Sequence, residues 1–258
     1  MGRVFFYINY SLIALLLCMP MVSFASKLTT LTYCYENKEF LPHFTGNNTN
    51  IPTQKPGAEI EILQALDKSL ANVKFHFLRE PWLRCLRSLE RGKVDAVIGS
   101  YNDERAKFAV FPWHNGKIDI KRAYLRIDTC LLLQKGIGLR WDGKTLTSRK
   151  KISIAIPRGY NSINSFKNKH FDIYLTDSPE KAHSLLFHRR VLASISACNL
   201  KKYPDFIELN KDPIKKHYGY FMFSKQFYQQ HTELAEQLWN NLAQIDKASY
   251  YRKYPTHY

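Results

Sequence analysis

The order of short apolar runs and helical stripes is what most restricts the fold of this chain. Residues 31–35, within TLTYCYE, form a β-rich run, and Ile62, Leu63, Leu66 and Leu70 then lay an apolar stripe along one helix face. Val73, Phe75 and Phe77 alternate with Lys74 and His76, so a strand follows that helix. Pro81 opens a second helix with Trp82, Leu86 and Leu89 on its inner face, and residues 94–98 supply the next strand. The pattern then returns, with a strand at 152–156, a turn and helix start at 159–162, a helix at 179–187 and a strand at 191–196. Parallel strands need a helical crossover, so the repeat predicts an α/β chain built on two mostly parallel sheets. Residues 124–134 and 218–223 are extended runs of another kind, suited to carry the chain between two lobes and back. A last helix, with Leu234, Leu238, Leu242 and Ile245 at helical spacing, is expected to pack on the first lobe. Lobe 1 is therefore expected over 26–123 and 218–258, lobe 2 over 124–217, with a hinged cleft between them.

Residues 1–25 have a separate purpose. Arg3 precedes an apolar run at 11–19, and Ser23, Phe24 and Ala25 put small residues at the two positions a signal peptidase reads, so cleavage is expected after Ala25. The apolar run is shorter than the roughly 20 residues of a spanning helix. Leu17 is bulky where a lipid-attachment signal at Cys18 requires a small residue. The mature chain is thus expected free in an extracytoplasmic space, the periplasm of a bacterium. Cys34, Cys85, Cys130 and Cys198 remain, widely spaced and without a CxxC, which favours disulfides over a zinc site; four buried thiols are the alternative. The formal charge is +16. Lys and Arg are scattered, the densest cluster being Arg149, Lys150 and Lys151, and no nucleic-acid-binding motif occurs, so a solvated basic surface is expected and nucleic acid is not.

The stretch at 91–112, RGKVDAVIGSYNDERAKFAVFP, combines a helix end at Gly92, a buried strand, a polar turn and a charged segment closing on an aromatic. In an open α/β sheet, ligands meet the carboxyl ends of strands, which places Gly99, Ser100, Tyr101 and Asn102 at a binding position. Arg105 follows. Its guanidinium can clamp a carboxylate through two parallel hydrogen bonds, or it can form a surface pair with Asp103 or Glu104. The loop at 36–56 is long and rich in Pro, Gly and Asn, and Tyr35, Phe40 and Phe44 could cover a ligand there.

This stretch resembles the signature of bacterial extracytoplasmic solute-binding proteins of family 3, the amino-acid-type receptors of ABC importers. The likeness extends to PGAEIEILQAL from Pro56, PWLRCL from Pro81, AIPRGYNS from Ala155 and YGYFMFSKQFY from Tyr218. It implies the two-lobe, type II periplasmic-binding-protein-like fold. It also implies a monomer that binds a small-molecule solute, works with a membrane permease and uses no cofactor or metal. The resemblance makes Ser100 a hydroxyl beside the ligand and Arg105 its carboxylate clamp, with Trp82, Tyr101 and Tyr35 or Phe44 on the pocket wall. From lobe 2 it brings Gly159, Tyr160 and Asn161, where N–H groups at a helix start favour an anion. With two lobes, the simplest cysteine pairing is Cys34 with Cys85 and Cys130 with Cys198.

One departure bears on the ligand. Amino-acid receptors of this family place an acid after the strand near Val191 to pair with the ligand's ammonium, and here SISACNL has none. The expected solute is a small polar or anionic compound, an amino acid or a related carboxylate. No nucleophile elbow, HExxH, Walker loop or dinucleotide fingerprint is present, so no enzyme is expected. The alternatives on the same fold are a periplasmic dehydratase using Glu59, Glu61 or Glu80, and a sensor subunit presenting its ligand-loaded form. Those glutamates read as solvated or helix-terminal.

Overall fold

The computed structural model describes residue 2, residues 28–167 and residues 170–254; the leader expected over 1–25 otherwise lies outside them. The chain begins with β1 (Thr29–Glu36), α1 (Ala58–Ser69), β2 (Val73–Glu80), α2 (Trp82–Glu90) and β3 (Ala96–Ser100). It continues through a one-turn helix α3 (Asp103–Ala106) and the short strands β4 (Ala109–Val110), β5 (Trp113–His114) and β6 (Lys117–Ile118). The long strand β7 (Leu125–Gln134) leads to a hairpin of β8 (Arg140–Trp141) and β9 (Leu146–Thr147), and then to β10 (Ile152–Pro157). A 3-10 segment (Asn161–Phe166), β11 (Phe171–Thr176), α4 (Pro179–Phe187) and β12 (Ala193–Ala197) complete the second half. The 18-residue β13 (Ile207–Ser224) then returns to the first, where α5 (Lys225–Gln230), α6 (Thr232–Gln244) and α7 (Lys247–Tyr251) end the chain.

Where two separate, mostly parallel sheets were expected, the strands form one continuous mixed sheet of nine, in the order β11-β10-β12-β7-β13-β3-β1-β2 with β4 beside β13. Each outer flank is parallel as its βαβ units require, with β1 beside β2 and β3, and β10 beside β11 and β12. The centre is antiparallel, because β7 leaves the first lobe and β13 comes back. β13 pairs with β3 through its last residues and with β7 through the rest, and its register against β7 shifts between Asn210 and Lys215. The sequence marks only residues 218–223 of this strand as extended. Its first half, IELNKDPIKKH, is highly charged and contains Pro213, and its pairing comes from tertiary context rather than from an apolar pattern.

Two lobes form because each flank of the sheet closes on its own core. Leu31, Tyr33, Ile62, Leu66, Phe221 and Phe223 pack with Leu238 and Trp239 of α6 in the first, so the last helix is on lobe 1 as its spacing predicts. Leu131, Ile154, Ile156, Phe166 and Ala193 form the core of the second. Each such fully buried large side chain contributes about 1.5–3 kcal/mol. Cys34 is bonded to Cys85 and Cys130 to Cys198, one disulfide within each lobe.

Candidate functional site

The carboxyl ends of β1 and β3 face the second lobe across a cavity of about 1270 Å³, lined by both lobes and by the crossing strands β7 and β13. Its most constrained side chain is Arg105. Asn102 ends the extended segment after β3 and accepts a hydrogen bond from the Arg105 backbone N–H through Oδ1 at 2.7 Å, which starts α3 and turns the guanidinium inward. Only 5% of Arg105 is exposed. Nη1 donates to the Ser100 carbonyl at 2.7 Å and Nη2 to the Gly159 carbonyl of the other lobe at 2.8 Å, while the guanidinium lies over the Trp82 ring, 5.4 Å from its centroid. Burial lowers its pKa to about 10. The surface pair with Asp103 or Glu104 is not formed; Glu104 bonds Lys107 instead.

Two glycines border the guanidinium and the contact it makes between the lobes. A Cβ at Gly99 would lie 3.1 Å from Arg105 Nη1 and 3.0 Å from Met222 Cε, so any larger residue would crowd the inward guanidinium and require these side chains to shift by a few tenths of an ångström. Gly159 has φ +76° and faces Leu83 and Trp82 of the first lobe, with a Cβ there 2.6 Å from Leu83 Cδ2. Two further bonds join the lobes at this turn. Asn161 Nδ2 donates to the Tyr101 carbonyl at 3.1 Å, and the Tyr160 hydroxyl donates to Glu36 Oε2 at 3.3 Å.

Glu36, at the end of β1, is a cavity-lining carboxyl that the sequence reading did not single out. It is 4% exposed, and burial raises its pKa to about 7, opposed by the Tyr160 hydrogen bond and the charge of Lys38. A carboxyl with a raised folded-state pKa adds stability below its unfolded pKa of about 4.5, and loses it as pH rises through 7. Glu36→Gln is therefore expected to raise the melting temperature at pH 8 and leave it nearly unchanged at pH 4. Equal shifts at both pH values would assign the pH dependence to another group.

The sequence-expected residues are largely brought together. Tyr35, Phe44, Trp82, Ser100, Arg105, Tyr160 and Asn161 all line the cavity. Tyr101 and Gly159 do not. The Tyr101 ring packs edge-on against Phe111 and Trp113 with its hydroxyl on Asp103, so it contributes only its carbonyl, and Gly159 likewise meets Arg105 through its carbonyl. The helix expected to start at Asn161 is a 3-10 segment of six residues, and the Tyr160 N–H at its start is bonded to the Pro157 carbonyl. Glu59 is helix-terminal, in the first turn of α1, but not solvated; it is buried, accepts from the Tyr33 hydroxyl at 2.5 Å and lies 3.5 Å from His43 Nδ1. The Tyr251 hydroxyl is 3.0 Å from the same His43 nitrogen, which ties the first loop to α7.

Four cavity-lining residues each have a buried polar atom without a protein partner among the described residues: Tyr35 OH, Trp82 Nε1, Ser196 Oγ and His217 Nδ1. On β13, Lys215 and His217 point the same way, two residues apart. Lys215 Nζ reaches the Asn161 carbonyl at 3.4 Å. Burial, with Lys215 and Arg105 nearby, lowers the His217 pKa to about 4, so its imidazole is neutral at pH 7.

No protein-family model and no curated protein matches the chain. Solved structures do. An amino acid ABC transporter substrate-binding protein from Streptococcus pneumoniae, bound to L-arginine, superposes with a TM-score of 0.64 at 16% identity, over 87% of this chain and 92% of the other. An ancestral amino acid-binding protein described as a precursor of cyclohexadienyl dehydratase gives 0.63 at 19% identity, over 87% and 92%. A histidine kinase sensor domain with similarity to periplasmic binding proteins gives 0.65 at 14% identity, over 88% and 94%. With the strand order and the interlobe cavity, these likenesses assign the chain the two-lobe α/β fold of periplasmic binding proteins.

Proposed function

We propose that the chain is a periplasmic receptor that captures a small carboxylate-bearing solute between its lobes and presents it to the permease of an ABC importer. Arg105 carries this reading. Its guanidinium has five N–H donors in a fixed fork, and it is buried at a cavity shared by both lobes with two backbone carbonyls as its hydrogen-bond acceptors. A solute carboxylate can take the remaining donors, or displace a carbonyl, with Ser100, Tyr160 and Asn161 as polar neighbours and Trp82, Tyr35 and Phe44 as an apolar wall. Lobe limits of 26–123 with 218–258, and 124–217, belong to this reading, and the separate cores support them to within a few residues. The two disulfides support an oxidising compartment.

A second reading, a periplasmic enzyme, is favoured by one observation. Glu36, with its pKa near 7 and the Tyr160 hydroxyl on its carboxylate, has the properties of a general acid or base. A thermal-shift screen of organic and amino acids against the mature protein, followed by product analysis of each hit, separates the two. A receptor ligand at a hundred times its Kd adds about 2.7 kcal/mol, on the order of 5–10 °C for a domain of this size, and is recovered unchanged. A converted hit would favour the enzyme, and the absence of any shift would overturn the receptor.

A further inference from the structure

We infer that the solute carries two negative charges on the end that Arg105 holds, as a compact dicarboxylate or phosphate-type head group, rather than the single carboxylate of an α-amino acid. This deepens the receptor reading and rests on it. Basic groups from two elements converge there. Arg105 comes from α3, and Lys215 and His217 come from the same face of β13, which the antiparallel register sets opposite Thr129 and Ile127 of β7. Thr129, Ile127 and His217 line the cavity, while Lys215 lines a neighbouring groove with Asp142 and Asp212 and reaches from it to the carbonyl of the cavity-lining Asn161, at 3.4 Å.

Neither Arg105 nor Lys215 is ion-paired with a carboxylate among the described residues, although Asp142 and Asp212 line the groove that holds Lys215. Arg105 is bonded to carbonyls, Lys215 to a carbonyl, and SISACNL at 194–200 contains no acid. Asp128, the nearest acid to act on His217, is held by Arg126 in two bonds of 2.9 Å. Glu36 belongs to the Tyr160 contact, and Lys38 is the only cation whose charge affects it appreciably among the described residues. The effect of crowding is visible in the bases themselves: burial and the Arg105 charge lower the pKa of Lys215, and both cations help to keep His217 neutral. Partly buried like charges with no counter-ion are costly, and a bound anion removes that cost. One carboxylate offsets Arg105. The second negative charge is what Lys215 requires, and His217 and Ser196 are among the polar residues that line the cavity beside it.

Calorimetry of the mature protein at pH 8 with four probes tests this: butyrate with one charge, succinate and inorganic phosphate with two, and zwitterionic L-alanine. At least one dianion should bind ten times or more tighter than butyrate and alanine, and whichever of the two it is identifies the head group. Lys215→Met should bring that dianion down to the level of butyrate while moving butyrate itself less than about twofold. Equal affinity for one and two charges, or a preference for alanine, overturns the dianion while leaving a receptor in place. If neither these probes nor the wider thermal-shift screen yields a ligand, the receptor reading fails as well. Should Lys215→Met not fold, the wild-type ranking alone decides.

Discussion

Arg105→Ala is expected to lower solute affinity by about 2–5 kcal/mol, roughly thirtyfold to several thousandfold, because it leaves a ligand carboxylate without its partner in a poorly solvated cavity. The structure adds a second loss to the first. The same guanidinium bonds the Gly159 carbonyl across the cleft, so the variant should also close less readily, visible as a larger radius of gyration with ligand present. Arg105→Lys keeps the charge but loses the planar fork that serves Ser100 and Gly159 together, and should recover only part of the binding. Calorimetry on the three proteins, with the ligand found by screening, measures both effects. Equal affinity across the series would remove Arg105 from the site and reduce it to a strut between lobes.

Replacing either disulfide by a pair of alanines is expected to cost about 2–5 kcal/mol, on the order of 5–15 °C in melting temperature. The loops closed are 51 residues for Cys34 and Cys85 and 68 for Cys130 and Cys198, so chain entropy makes the two similar, at about 4 kcal/mol each. Cys34 and Cys198 also border the cavity, which couples their loss to binding. Because each bridge lies inside one lobe, the two double variants should be additive. Melting curves with and without reductant give the comparison: a reductant-insensitive wild type, or strong non-additivity, would contradict independent staples.

The outer strands and main helices were legible because their periodicities are local. Alternation at 73–77 and the stripes of α1, α2 and α6 are each set by burial on one face, and that burial is present. Arg105 and Ser100 could be found because the turn after a parallel strand is where such sheets bind ligands. What escaped were charged residues in strands. Lys215 and His217 sit two apart, immediately before the aromatic run at 218–223, and that period-two spacing was the available signal. They fall between the runs at 191–196 and 218–223, where no element was expected. Glu36 was equally accessible to the strand-end rule, since it closes β1 as Ser100 closes β3. No local pattern, however, encodes a lobe boundary crossed by an unbroken ladder.

That ladder determines how the cavity can be reached. Between residues 125–129 of β7 and 215–219 of β13 the paired strands run from one lobe into the other without a gap in register. Sliding one lobe past its neighbour would break these hydrogen bonds as a group, whereas flexing both strands together leaves every one intact. The pair therefore acts as a leaf spring, stiff in shear and compliant in bending. The register shift between Asn210 and Lys215 lies just outside the spring on the second-lobe side, where a local break in pairing permits a change of strand direction without a loss of alignment. Entry of a solute becomes a movement along essentially one coordinate, and the Arg105, Tyr160 and Asn161 contacts between the lobes set how far along it the molecule rests.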